Sequence, residues 1–342
     1  MPADIAITNL NSMFKDQSVV TSIDKWTVDT STITDMTHMF FYCNNLAVID
    51  VSKFNTSNVT NMMGMFSNCR NLTALDVSNF NTSKVKSMRG MFSNCRNLTA
   101  LDVSNFNTSA VTDMSYMFNS CSNLTALDLS NFDTSNVTNM NNMFYSCSSL
   151  ATLDVSRFNT SNVTDTSYMF FSCYRVTKLD VSNFNTSNVT SMNSMFFNCY
   201  RVTKLDVAGF DLSKSNNTAW MFGKCSSLTA LDMKNVKARV NHNMARMFDG
   251  CTSLKTLDLS NFLRDDSSSN YNTYYLTGSC SFNELRIPNF YLYNMNNTVS
   301  EMFGNKCPAD EIVLGNAGVS DNFTQDVLAV CREYRPLVEG KY

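Results

Sequence analysis

Thiols and carboxylates are the side chains of this chain whose regular spacing could support chemistry. Nine of the cysteines stand 26 residues apart: Cys43, Cys69, Cys95, Cys121, Cys147, Cys173, Cys199, Cys225 and Cys251. Thiols in such a series could form disulfides, bind a metal ion or pack as small apolar groups. Each follows a Met-Phe pair on an apolar stripe, and the only histidines are His38 and His242. We therefore expect buried, reduced thiols and no metal site.

An aspartate recurs with the same period, seven residues after each cysteine. The six aspartates taken as a candidate acidic face are Asp76, Asp102, Asp128, Asp154, Asp180 and Asp206. Alternation with apolar neighbours places these carboxylates on the outer face of a strand. Three interpretations stay open: hydrogen bonds from neighbouring Ser and Thr satisfy the carboxylates, a ligand binds the acidic stripe, or Ca²⁺ bridges successive repeats. The first is favoured, and no other cofactor is expected.

Two neighbouring repeats depart from the common pattern at their cysteine. Four of the other seven repeats continue with Arg-Asn-Leu or Ser-Ser-Leu, whereas these two continue with Tyr-Arg-Val and carry an extra Phe before the cysteine. Tyr and Arg dominate binding hot spots, so these positions are the predicted ligand-binding residues. They are Phe171, Tyr174, Arg175, Phe197, Tyr200 and Arg201. Duplication of a single repeat would give the same pattern without a binding role.

Two hydrophobic periodicities indicate which elements position these residues. The apolar residues between Val85 and Cys95 are spaced as one stripe of a short helix. Leu101 and Val103 alternate with polar residues, which is typical of a short strand with one buried face. The Asn-Thr-Ser-Asn segment between strand and helix favours a turn. Each repeat is therefore predicted to form strand, turn, short helix and turn.

Stacking of such repeats predicts an α/β fold, a right-handed solenoid of about twelve 26-residue coils. A parallel β-sheet would line one side, and short helices or turns would line the other. We expect an N-terminal cap coil over 1–38 and regular repeats over 39–262. Irregular repeats with a loop insertion follow over 263–317, and a capping helix with a tail over 318–342.

Composition and charge exclude several functional classes. A net charge of −3 argues against nucleic acid as a partner. No apolar run is long enough for membrane insertion, and no signal peptide pattern is visible at the N-terminus. The chain also lacks a glycine-rich phosphate loop, a nucleophile elbow and a metal-binding His pair. We therefore expect that it is not an enzyme.

The repeat motif resembles that of a known family of bacterial surface proteins. Residues 91–114 show Met-Phe-x-x-Cys-x-x-Leu-x-x-Leu-Asp-Val-Ser-x-Phe-x-Thr-Ser-x-Val-Thr-x-Met. This string closely resembles the BspA-type leucine-rich repeat, and the resemblance covers roughly residues 13–314. It implies a leucine-rich-repeat-like solenoid that adheres to host proteins or to other cells. Similar repeats also occur in phage proteins, so a virion component is implied as well.

These observations together predict a non-catalytic recognition or adhesion solenoid. It would be displayed on a bacterial cell surface or attached to a virion as a phage fibre or decoration protein. Its partner would be a protein or glycan on a cell surface, or other virion proteins. The alternative is a structural spacer or assembly module of a larger particle, with no ligand of its own.

Overall fold

The computed structural model of this chain describes residues 8–23, 28–233, 235–236, 238–239, 243–260, 262–263, 272–287, 298–305, 308–314, 326–327 and 329–331. The chain divides into two units. Unit 1 comprises Met1–Val163 and Met169–Val176, and unit 2 comprises Thr164–Tyr168 and Thr177–Tyr342. In each unit the 26-residue repeat is the building block, because equivalent positions of successive repeats form backbone hydrogen bonds.

The segment that leads to each cysteine carries the main ladder between repeats. Every second N–H from Met36 to Tyr42 donates to the repeat that follows, at 2.8–3.0 Å. The acceptors are the carbonyl groups of Asn61, Met63, Met65 and Ser67. Tight turns fill the positions between, since the N–H of Cys43 donates to the carbonyl of Phe40 at 3.2 Å. All of these ladder N–H groups point towards later repeats.

The helix predicted over residues 85–95 is wrong, although its apolar stripe is correct. This segment forms turns. Gly90 and Asn94 have φ of 60° and 58°, and left-handed residues at this spacing interrupt a right-handed helix. Val85, Cys95 and the apolar residues between them are nevertheless fully buried. The spacing therefore predicts correctly which side chains face the core. Consecutive turns, and not a helix, place these side chains there.

The strip after each cysteine has the predicted alternation of burial but forms only short strands. Leu101 and Val103 are buried, and Asp102 between them is exposed. Residues 75–77, 101–103 and 127–129 nevertheless have no strand pairing. Neighbouring repeats approach each other here through single backbone bonds, such as the one from Thr125 N–H to the Thr99 carbonyl at 3.3 Å.

Parallel strand pairs occur near the first repeats of unit 1 and in the later repeats of unit 2. In unit 1, β1 (Ser22–Ile23) pairs with β2 (Val48–Ile49). In unit 2, β3 (Lys204–Leu205) pairs with β4 (Ala230–Leu231), and β5 (Ala238–Arg239) pairs with β7 (Phe262–Leu263). The strands β6 (Thr256–Asp258), β8 (Phe282–Ile287) and β9 (Ala309–Leu314) form a three-stranded sheet. A short helix, α1 (Val299–Met302), begins with a capping box between Thr298 and Glu301.

The core of each unit consists of columns of identical residues. In unit 1 the rings of the Met-Phe motif stack from Phe14 to Phe170, with neighbouring centroids 5.4–6.0 Å apart. In unit 2, Phe196, Phe222 and Phe248 stack with centroids 5.6 Å apart. Stacked rings of this kind give area burial and a small additional attraction at every step.

Buried threonines form a second ladder at the Asn-Thr-Ser turn. The hydroxyl of Thr56 donates to the Asn81 carbonyl at 3.1 Å and accepts the N–H of Asn81 at 2.7 Å. One hydroxyl thus satisfies backbone groups of the next repeat in place of a strand pair. The Asn-Thr-Ser segment recurs because of this backbone requirement.

Several predictions concern residues at the two ends of the chain. The repeat does extend one unit before the first cysteine, since Asn9 bridges to Asp35 and Phe14 stacks on Phe40. At the other end, residues 326–327 and 329–331 are helical and bury Val327 and Cys331. The loop predicted within 263–275 falls largely on residues outside the described ranges. The predicted domain boundaries stay predictions.

Candidate recognition surface

One backbone position of the repeat has left-handed geometry throughout both units. We call it position −5, because it lies five residues before the cysteine of its repeat. Its φ angle is 52–60° in ten repeats. The occupants are His38, Gly64, Gly90, Tyr116, Asn142, Tyr168, Ser194, Trp220, Arg246 and Tyr275. Glycine adopts this geometry freely and asparagine tolerates it, whereas a bulky side chain costs about 1–2 kcal/mol.

In unit 2, three of the four bulky occupants of position −5 meet in one group, namely Trp220, Arg246 and Tyr275. We call this group the arginine cluster: Phe197, Trp220, Lys224, Arg246, Asp249, Tyr274 and Tyr275. The guanidinium carbon of Arg246 lies 4.7 Å from the ring centroid of Tyr275, 4.9 Å from that of Trp220 and 5.4 Å from that of Tyr274. Nη1 of Arg246 forms an ion pair with Asp249 Oδ2 at 3.1 Å. Contacts of a cation with ring faces at these distances are attractive.

The arginine cluster continues from Trp220 towards the preceding repeat. The rings of Phe197 and Trp220 meet edge to face, with centroids 5.1 Å apart. Nζ of Lys224 lies 5.4 Å from the Phe197 centroid. Trp220 and Phe197 are half-buried, whereas Lys224 is exposed. Two cations and one carboxylate therefore surround four rings, which leaves an excess of positive charge.

Two glycines make room for this arrangement. A Cβ on Gly223 would lie 2.6 Å from Trp220 Cε3 and 3.1 Å from Phe197 Cδ2, so these two rings can meet only above a glycine. A Cβ on Gly278 would lie 2.2 Å from Asp249 Oδ1. Without it, the Asp249 carboxylate accepts the N–H of Ser279 at 3.0 Å while it pairs with Arg246.

Unit 1 carries ring contacts on the same segment, but they are separate pairs. Glycine occupies position −5 at Gly64 and Gly90, and these two repeats interrupt the series of side chains. The pairs are Lys15 with Phe41 at 5.7 Å, Arg89 with Tyr116 at 5.4 Å and Tyr145 stacked on Phe171 at 4.5 Å. Within the described residues of this unit, no arginine lies among three rings.

The ligand-binding residues predicted from the sequence are accessible to different degrees. In unit 1, Phe171 is half-buried against Tyr145, Tyr174 is half-buried and Arg175 is exposed. In unit 2, Tyr200 is 37% exposed and Arg201 is exposed. Phe197, the last of the set, belongs to the arginine cluster. That these residues bind a ligand stays a prediction.

The six aspartates of the predicted acidic face are exposed, and each is held by its own turn. Oδ1 of Asp102 accepts the N–H of Ser104 at 2.9 Å, and Oδ1 of Asp180 accepts both the N–H and the hydroxyl of Ser182. Hydrogen bonds from the serine hydroxyl and N–H lower the pKa of Asp102 below its usual range. This geometry agrees with the structural interpretation of the acidic column. Binding of a ligand there stays a prediction.

The nine in-register cysteines are buried and form no disulfide, as predicted. The thiol of Cys121 donates to the Phe92 carbonyl at 3.1 Å, and that of Cys147 donates to the Phe118 carbonyl at the same distance. Burial raises the pKa of Cys121 to about 12, so the thiolate is strongly disfavoured. Cys331 differs from these residues because it is disulfide-bonded.

Two further properties concern metal ions and membranes. Among the residues that the structure describes, no three His, Cys, Asp or Glu side chains are grouped so that they could hold a metal ion. The calcium alternative for the acidic column therefore gains no support. Within the same ranges, none of the helices has the length and apolar character needed to cross a bilayer.

Sequence reasoning missed the arginine cluster for an identifiable reason. The two Tyr-Arg-Val motifs break the consensus most visibly, so the sequence pattern favours their positions. The apolar stripe around position −5 predicts a helix and therefore gives no sign of left-handed geometry there. Glycine at this position in two repeats was the available signal, since glycine is the residue best suited to positive φ.

Comparison with known proteins identifies the family. The sequence profile of the family described as "Mycoplasma protein of unknown function, DUF285" matches residues 8–125, 74–178, 96–200, 151–262 and 201–308. The chain belongs to this family. Its matches overlap and together extend from residue 8 to residue 308, which agrees with a repeat protein. No curated protein matches the chain.

One solved structure also shows a partial similarity to this chain. It is described as "Functional domain of InlJ from Listeria monocytogenes includes a cysteine ladder". The sequences are 16% identical, the match covers 87% of this chain and 72% of that chain, and the TM-score is 0.21. A TM-score of this size does not establish a common fold.

Proposed function

We propose that this chain is a non-catalytic recognition protein that binds a protein or glycan on a cell surface. The observation that carries this proposal is the side-chain content of position −5. The backbone there favours glycine or asparagine, yet six of the ten repeats carry a bulky side chain: His38, Tyr116, Tyr168, Trp220, Arg246 and Tyr275. Half-exposed bulky residues in a strained geometry add little to the core. Strain of this kind is retained where side chains serve a function.

The alternative is a spacer or assembly module without a ligand. A spacer needs only the ladders and the core columns, which glycine or asparagine at position −5 would support with less strain. Gly64 and Gly90 show that such repeats occur in this chain. The departure from them in the repeats of Trp220 and Arg246 therefore favours recognition.

The proposal extends to the shape and location of the protein. The unbroken 26-residue period and the BspA-like motif support a right-handed leucine-rich-repeat solenoid of about twelve coils. The disulfide of Cys331 supports a location outside the reducing cytosol, on a cell surface or on a released virion. Of the two locations, a cell surface fits this bond more directly, since a virion is assembled in the cytoplasm.

Cell binding by the purified chain tests the proposed function. Fluorescently labelled protein is added to intact bacterial and animal cells, and bound label is measured by flow cytometry. Saturable binding that unlabelled protein competes away is the expected result. Absence of saturable binding to every cell type, together with a change in particle or envelope dimensions on gene deletion, would establish the spacer instead.

A paired substitution then tests the ligand-binding residues predicted from the sequence. Tyr174→Ser combined with Tyr200→Ser introduces the residue that other repeats carry, and it should lower cell binding about tenfold if these rings contact the ligand. The matched control is Arg70→Ser with Arg96→Ser, at the equivalent positions of two other repeats. Equal effects of the two pairs would contradict a specific role for the tyrosines.

A further inference from the structure

The arginine cluster presents hydrogen-bond donors that no residue in the described ranges accepts. The only hydrogen bond of Arg246 to a described side chain is the one from Nη1 to Asp249. The indole N–H of Trp220 and the phenol groups of Tyr274 and Tyr275 make no hydrogen bond with any residue in the described ranges. The indole N–H of Trp and the O–H of Tyr usually form a hydrogen bond when they are buried in a protein core. Here all three side chains are half-buried at the surface.

The charge of the arginine cluster selects an anionic partner. Within the cluster, Arg246 and Lys224 carry two positive charges and Asp249 carries one negative charge. The Asp249 carboxylate is already engaged by Arg246 and by the Ser279 N–H. The neighbouring Glu301, whose carbonyl accepts the N–H of Tyr275, has its carboxylate engaged by Thr298. Three rings hold the guanidinium, so its orientation is fixed before a ligand arrives. A fixed guanidinium with free N–H groups binds carboxylates well, because little side-chain entropy remains to be lost.

We propose that the arginine cluster is a binding site for a pyranose ring that carries a carboxylate, such as a terminal acidic sugar or a uronic acid. The apolar face of the sugar would pack on Trp220 or Tyr275. Its hydroxyl groups would meet the phenol and indole groups, and its carboxylate would meet the free edge of Arg246, with Lys224 adding to the attraction. This inference rests on the proposed recognition function and names the ligand class of that function.

The two glycines support a built site over a chance group of rings. Gly223 and Gly278 are the residues whose missing Cβ atoms allow Trp220 to meet Phe197 and Asp249 to reach Ser279. Trp220, Arg246 and Tyr275 also have φ of 59°, 57° and 52°. Several independent backbone features thus have to coincide before Arg246 lies among its three rings.

Direct titration with defined sugars tests the inference. The full chain is titrated with 3′-sialyllactose and with trigalacturonate, and binding is followed by calorimetry and by tryptophan fluorescence. We expect one saturable site with a dissociation constant below about 5 mM, and affinity at least about tenfold weaker for the neutral sugars lactose and maltotriose. Equal binding of neutral and acidic sugars, or no saturation at about 20 mM, would overturn the proposal.

Variants at position −5 give the matched controls. Trp220→Asn places a residue that tolerates positive φ, as Asn142 does in its own repeat, and should weaken binding at least about tenfold. Tyr116→Asn makes the same change in unit 1 and should leave affinity within about twofold. If Trp220→Asn does not fold, Arg246→Lys keeps the charge without the planar fork and should also weaken binding about tenfold. Equal losses from Tyr116→Asn and Trp220→Asn would reject the site.

Two comparisons separate this inference from the proposed function. A tetraglutamate peptide that binds the arginine cluster more tightly than either acidic sugar would reject the sugar as the ligand class. Cell binding that persists in Trp220→Asn, with no acidic sugar bound by the native chain, would reject this site and leave the recognition function intact. Absence of cell binding in the native chain would instead reject the recognition function itself.

Discussion

The two units use the same backbone at position −5 and carry different side chains on it. In unit 1 the series includes Gly64 and Gly90, and the rings that are present form separate pairs. In unit 2, Trp220, Arg246 and Tyr275 follow in successive repeats and join into one cluster. The cores of the two units are alike, since phenylalanine columns and buried thiols occur in both. The shared core and the variable surface side chains therefore occupy different positions of the repeat.

The largest expected effect concerns the phenylalanine columns, which both units contain. Phe118→Ala in unit 1 and Phe222→Ala in unit 2 each remove a fully buried ring from a stacked column. Each should lower the free energy of unfolding by about 3–5 kcal/mol, because a cavity remains in the core. Chemical denaturation of both variants measures the loss. Losses that differ by more than about 2 kcal/mol would show that the two cores are not equivalent.

The next effect concerns the contacts between arginine and aromatic rings, in which the two units differ. Arg246→Gln removes contacts with three rings and leaves the mostly buried Asp249 carboxylate without its ion pair, which should cost about 2 kcal/mol. Arg89→Gln removes one ring contact from an exposed side chain and should cost about 0.5 kcal/mol. Thermal unfolding of the two variants compares them. Similar costs would mean that the arginine cluster is no more coupled than a single pair.

The smallest expected effect returns to the shared core. Cys147→Ala and Cys225→Ala each remove a thiol that donates to a phenylalanine carbonyl at 3.1 Å, and each should cost about 1–1.5 kcal/mol. Thiol reagents should label the native columns slowly at pH 8, since burial raises the pKa of both thiols well above its ordinary value.

The same thiols give a pH dependence. A thiol whose pKa is raised in the folded state contributes stability that is present below the unfolded pKa of about 8.5 and is lost as the pH rises above it. Native stability should therefore fall between about pH 8.5 and pH 11, and the alanine variants should lose less than the native chain. Rapid labelling of all thiols in the native state would contradict their burial.

The sequence predicted which residues form the core better than it predicted the backbone conformation. The 26-residue period placed Met91, Phe92 and Cys95 in the core, because burial depends on the spacing of apolar residues. It also predicted the strand-like alternation at Leu101 and Val103. The helix failed because an apolar stripe at intervals of three and four residues also fits consecutive turns, and only the φ angles of Gly90 and Asn94 distinguish the two.

The candidate site was harder to predict for a related reason. Arg246 and Tyr275 are 29 residues apart, because the repeat that ends at Cys280 carries three additional residues. Strict counting by 26 therefore does not bring these two side chains to equivalent positions. Asp249 and Gly278 contribute through contacts that no periodic pattern contains. Phe197 is the one residue that both the sequence analysis and the arginine cluster include.

The regular bonding between repeats has a consequence for how such a gene can change. Within each unit, the segment before the cysteine offers N–H groups to the repeat after it and carbonyl groups to the repeat before it. Recombination between equivalent codons of two repeats would add, remove or exchange whole repeats while every junction kept the same bonding. The residue at position −5 would change with each exchange. A lineage could thus acquire new surfaces by shuffling DNA, without having to evolve a new fold each time.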